Sequence, residues 1–100
     1  MKLRLINLPA FTHKTSFSCG NILLDDGDNK LSSDALQQLL RRHTTADWGD
    51  IPRKARLTNR YALEYNNSLL SCYFHPYSGI RMVVISTCAD RSETVISVHA

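Results

Sequence analysis

Long apolar runs are what this sequence lacks most plainly. The longest is Met82-Val83-Val84-Ile85, far short of the roughly 20 residues that a membrane-spanning helix needs. The first residues alternate Leu3 and Leu5 with Lys2 and Arg4, where a signal peptide would hold a continuous apolar stretch of about 7–15 residues. The expected location is therefore the cytoplasm. Glycine is sparse, with Gly20, Gly27, Gly49 and Gly79 scattered singly. No glycine-rich phosphate loop can be drawn from them, and no nucleotide cofactor is expected. Cysteine is limited to Cys19, Cys72 and Cys88. An odd count without an export signal speaks against a disulfide framework and for structural thiols. Cys72 and His75 have the look of half a metal site, but strand residues three apart point to opposite faces, so no metal is expected. Catalytic motifs such as H-x-x-x-H and G-x-S-x-G are also missing. The histidines His13, His43, His75 and His99 fall in separate parts of the chain, and no catalytic residue is assigned.

What is present suits one folded domain spanning residues 1–100. An apolar fraction of 43% and a charged fraction of 21% are those of an ordinary globular protein. Lys2–Asn7 alternates like a short strand, Pro9–Thr15 reads as a loop, and Phe17–Leu24 as a second strand with Gly20 at a bulge or close approach. Asp25–Asn29 is a turn cluster that lacks the closing glutamate of a calcium loop. Ser32 or Ser33 can cap a helix that carries Asp34 in its first turn and Leu36, Leu39, Leu40 and His43 on one face, ending near Ala46. Asp50 is the expected cap of a second helix with Pro52 in its first turn. At about 100° per residue, Ile51, Ala55, Thr58, Ala62 and Tyr65 share one side of that helix and Arg53, Arg56 and Arg60 the other. Glu64 is placed to pair with Arg60, and Asn66-Asn67 is a stop. Leu69–His75, Ile80–Thr87 and Glu93–Val98 then form a strand meander, with turns at Pro76–Gly79 and Ala89–Ser92. The expected class is α+β, an antiparallel sheet of about five strands with two helices on one face in the order ββααβββ.

Charge supplies the one functional lead. Six basic residues (Arg41, Arg42, Arg53, Lys54, Arg56 and Arg60) lie between positions 41 and 60 against only Asp47 and Asp50. That stretch holds more than the whole +3 of the chain. An arginine stripe on a helix suits phosphates or an acidic protein surface, although the face opposite a core must be polar in any case. No aromatic residue is expected among these arginines to stack bases. Trp48 reads as a core plug, with Asp47 and Asp50 bonding nearby amides. Asp90-Arg91-Ser92-Glu93 reads as a charged turn or an exposed recognition tip.

Leu39-Leu40-Arg41-Arg42-His43, Asp47-Trp48-Gly49-Asp50, Asn59 with Ala62-Leu63, Leu69-Leu70-Ser71-Cys72-Tyr73 and Ala89-Asp90-Arg91-Ser92-Glu93-Thr94 carry a resemblance. Together they resemble a family of small uncharacterised bacterial proteins, often carried on plasmids and integrative elements. Its members read L-x-R-H, D-W-G-D, N-x-x-A-L, L-L-S-x-Y and A-D-R-S-x-T in that order. The match spans roughly residues 20–96. The chain departs from the pattern in its N-terminal segment, Met1–Ser16, and in Cys72 where alanine is usual. The resemblance implies a mobile-element setting and supplies no catalytic residue. The expectation is a small non-enzymatic binding protein, an accessory factor or an inhibitor of host defence of the anti-restriction or anti-CRISPR kind. The candidate binding residues are Arg53, Lys54, Arg56, Arg60, Asp90 and Arg91. A protein partner is favoured. The rivals are a nucleic-acid-binding module using the arginine face and a small RNase-type toxin using His75 with arginines. A homodimer is expected through the Glu93–Val98 edge or through sheet faces, because unprotected edges tend to pair.

Overall fold

The computed structural model describes residues 3–8, 15–27 and 30–100; the expected Pro9–Thr15 loop, except Thr15, and the Asp28-Asn29 end of the turn cluster lie outside them. The elements are β1 (Arg4–Ile6), β2 (Asn21–Asp25), α1 (Ser33–Thr44), α2 (Arg53–Tyr65), β3 (Leu69–Phe74), β4 (Met82–Thr87) and β5 (Glu93–His99). This is the ββααβββ order. The five strands form one sheet in the order β1-β2-β5-β4-β3. Every pairing is antiparallel except that of β2 with β5, which is parallel. The parallel pair arises because the chain leaves β2 and returns to its neighbour only after both helices and the β3–β4 hairpin.

Both helices cover one face of the sheet. α1 starts where the Ser32 hydroxyl accepts the Ala35 amide hydrogen at 3.1 Å, with Asp34 in the first turn and Arg41, Arg42 and His43 in the last, a charge order that favours its dipole. It lays Leu36, Leu39 and Leu40 on Leu24, Tyr73, Val83, Ile85 and Ile96. A second cluster of Trp48, Ile51, Ala62 and Leu69 packs with Phe17 and Leu63. Trp48 is 7% exposed, so the plug expected at the helix junction is there.

Cα register separates the two sheet faces. Leu69, Ser71 and Tyr73 of β3 turn inward with Val83, Ile85, Thr87, Thr94, Ile96 and Val98. The opposite face runs in rows across the sheet: Asn21 and Glu93, then Leu5, Leu23, Val95, Ser86 and Leu70, then Asp25, Ser97, Val84 and Cys72, then His99, Met82 and Phe74.

Several sequence expectations need correction. β5 pairs on both sides, with β2 and β4, so Glu93–Val98 is no edge and cannot pair with another chain. The true edges are β1 and β3. β2 is shorter than expected at its start, because Phe17 leaves the strand path to pack against Trp48 and His43. The residue at the N-cap of α2 is Pro52, with no side-chain cap; the Asp50 carboxylate accepts the Phe74 amide hydrogen instead. The inward stripe of α2 is buried Asn59 and Ala62 with half-buried Ala55, while Thr58 and Tyr65 face solvent. The ion pairs among the described residues are Arg4–Asp26 and Arg42–Asp47, so Arg60 and Glu64 are not paired.

Asn59 explains the altered helix phase. Its amide nitrogen donates to the Leu70 carbonyl at 2.6 Å, and its oxygen accepts the Leu70 amide hydrogen at 3.1 Å. One side chain thereby imitates a neighbouring strand. Further along β3, the Cys72 amide donates to Trp48 O at 3.1 Å and the Asp50 amide donates to Cys72 O at 2.7 Å. Gly49 must be glycine for this approach, since its φ is +75° and a Cβ would run into the Cys72 carbonyl. Asp47–Asp50 and Asn59 therefore close the β3 edge at Leu70, Cys72 and Phe74, which removes a template for aggregation.

Candidate functional site

The α2 helix presents its solvent face away from that edge. With Ala55, Asn59 and Ala62 turned inward, helical geometry forces Leu57, Tyr61 and Tyr65 outward at i, i+4 and i+8. They are 54%, 57% and 56% exposed. The Tyr61 and Tyr65 rings stack with centroids 4.3 Å apart. Leu57, Tyr61, Arg60 and Glu64 line a shallow depression of about 240 Å³. Arg53, Lys54 and Arg60 are exposed around this stripe, and no hydrogen bond or ion pair among the described residues engages their side chains. Arg53 and Lys54 stand in the first turn of α2, which has no acidic residue. Their charge adds to the positive end of the helix dipole instead of opposing it. Positive potential is therefore concentrated beside an apolar stripe.

The six sequence candidates divide by role. Arg53, Lys54 and Arg60 are at the surface as expected. Arg56 is tied down: its guanidinium donates to Gly49 O at 2.5 Å and Ile51 O at 3.3 Å, fastening the start of α2 to the Trp48 turn. Arg91 is held more firmly still. It donates to Ala62 O at 3.1 Å and Asn67 O at 2.7 Å, and to Cys88 O and Ala89 O. It caps the C-terminal end of α2, where free carbonyls attract a cation. Asp90 sits beside it in the turn and accepts from the Cys88 thiol and the Ser92 amide. These hydrogen bonds, the thiol's first, pull its carboxyl down to about 2. The three apolar residues were missed because the helix phase was set on Thr58 and Tyr65. Asn59 in the core was the clue, since its amide satisfies an edge strand.

Of the histidines that the structure describes, His43 is enclosed by the fold and His75 lies at its surface. His43 is fully buried. Its Nδ1 lies 2.5 Å from Ser71 Oγ and its Nε2 2.9 Å from Thr87 Oγ1. Donor bookkeeping fixes the tautomer. Thr94 donates its only hydroxyl hydrogen to Cys19 O at 2.8 Å. Thr87 must then donate to Thr94 across 2.7 Å, and so accepts from His43. The imidazole therefore carries its proton on Nε2, and bare Nδ1 accepts from Ser71. Burial first, and then the charge of Arg91, hold its pKa down to about 3. Phe17 and Trp48 meet the ring edge-on, at centroid distances of 5.1 and 5.7 Å. A neutral, sealed imidazole serves packing. His75 lies in the β3–β4 turn with φ +47°, beside an open groove of about 560 Å³ shared with Tyr77 and Arg81. No hydrogen bond or ion pair among the described residues joins it to the α2 arginines.

Among the described residues no group of three or more His, Cys, Asp or Glu side chains is placed to hold a metal ion. The three thiols are free and half-buried, and burial raises those of Cys19 and Cys72. No helix among the described residues is long and apolar enough to cross a membrane. Comparison with protein-family models, curated proteins and solved structures finds no match.

Proposed function

We propose that the protein is a non-enzymatic binding protein that docks the solvent face of α2 onto an acidic surface of a partner protein. The observation that carries this reading is the exposed Leu57, Tyr61 and Tyr65 stripe rimmed by Arg53, Lys54 and Arg60. Tyrosine and arginine around an apolar centre are the composition of binding hot spots. The basic rim steers an acidic partner and sets orientation. The mobile-element resemblance agrees with a role as an accessory factor or inhibitor of host defence. Nucleic acid is the second reading, because the Tyr61–Tyr65 stack supplies an aromatic platform beside cations.

The test is capture from a bacterial lysate, with and without nuclease. Wild-type protein should retain a partner after nuclease treatment and lose it as salt rises. Leu57→Ser with Tyr61→Ala, and separately Arg53→Gln with Arg60→Gln, should each abolish capture while folding normally. Arg56 is left intact because it holds the start of α2. Capture that persists in both variants refutes the α2 reading, and loss on nuclease treatment moves it to nucleic acid.

A further inference from the structure

We propose that the open face of the sheet is a self-association surface, on which a second copy of the chain packs about a two-fold axis. Among the described residues both helices lie on the opposite face, and the open one is mostly apolar along its central row. Its complete row across the sheet places Leu5, Leu23, Val95 and Leu70 around a single serine. Val84 stands at its centre and Phe74 at its rim. Leu5, Leu70 and Phe74 are 62%, 42% and 54% exposed. Apolar patches of this extent on a protein surface mark interaction sites.

Charge and area select the occupant. The chain carries +3, yet the registered rows of this face hold as ionisable groups of Asp, Glu, His, Lys or Arg only Asp25, Glu93 and His99, and its central row from Leu5 to Leu70 holds none of them. A copy of the chain that packs on this central row meets no like charge along it, and a strongly charged partner finds nothing to pair with there. Five strands about 4.8 Å apart and about 5–6 residues long give a projected footprint of roughly 450 Å². A dimer of this size class buries about a tenth of each protomer, near 600 Å² of the 6241 Å² here once side-chain relief is counted. Two such faces stack about 10 Å apart as a β-sandwich, and the contact is isologous. Edge pairing is a poor competitor, since Asp50 and Asn59 close β3 and β1 is three residues long. The dimer leaves both α2 faces outward, so the surface is separate from the docking face proposed above.

Light scattering after size exclusion, from about 1 μM to about 1 mM chain, tests this. The expected mass rises to twice 11.3 kDa with a dissociation constant in the micromolar range. Leu70→Lys with Phe74→Lys changes only exposed side chains and puts like charges face to face. It should weaken the dimer by roughly 100-fold or more, with an unchanged circular dichroism spectrum and melt at low concentration. Should that double variant misfold, Phe74→Lys alone carries the same prediction. A mass of one chain at every concentration, or a dimer that survives these substitutions, overturns the proposal.

Discussion

Acidification should weaken the fold through His43, and the size of the effect follows from its surroundings. The unfolded imidazole takes a proton near pH 6.5, whereas the folded one resists until about 3. Between these values the unfolded state binds one more proton than the native state, so stability rises with pH. The contribution is complete above the unfolded value and is lost as pH falls toward the folded one. At about 1.36 kcal/mol per pH unit, going from pH 7 to pH 4.5 costs about 2.7 kcal/mol. Urea unfolding across this range, with extrapolation to water, measures it. His43→Leu supplies the control. It takes from the Ser71 hydroxyl its His43 acceptor, while Thr87 keeps its bond to Thr94, and so lowers stability by about 1–3 kcal/mol for the buried group that loses its partner. Its slope against pH should nevertheless flatten by about one proton, whatever the other titrating groups contribute to both curves. Equal slopes for wild type and variant would refute the sealed, neutral imidazole. So would an NMR titration of His43 centred near its ordinary value.

Trp48→Ala should cost about 3–5 kcal/mol, as truncation of a buried aromatic does; an unchanged melting temperature would place the indole outside the core. Asn59→Ala opens the Leu70 amide and carbonyl and should cost about 1–3 kcal/mol. Hydrogen exchange at Leu70 should accelerate in that variant, and protection equal to wild type would contradict the edge-closing role.

Element existence and order were legible because local signals agreed with one another. Ser32 and Asp34 marked the start of α1, its leucines set the inner face, and alternation marked β1 and β3. Gly20 was flagged for close approach, and its Cβ would collide with the Ser92 carbonyl. The residues that carry the family resemblance turn out to hold the fold. His43 joins Ser71 and Thr87, Asp47–Asp50 and Asn59 close β3, and Tyr73 donates to Asp47 O at 2.6 Å. Arg91 caps α2 from 29 residues beyond Ala62.

Sheet order was not legible, and its physical reason is range. Periodicity reports which side of a strand is apolar, but a parallel neighbour for β5 is chosen by a contact to β2 some 70 residues earlier in the chain. The α2 phase failed for the same reason. Asparagine reads as polar in isolation, and only the unpaired Leu70 backbone makes burying it favourable. Once that bond is set, the helix can no longer hide Tyr61 and Tyr65, and Leu57 emerges between the basic groups. Sequence thus determined that α2 is amphipathic and basic. Tertiary structure decided which arginines remain available, because Arg56 and Arg91 are spent on carbonyls that no local pattern reveals.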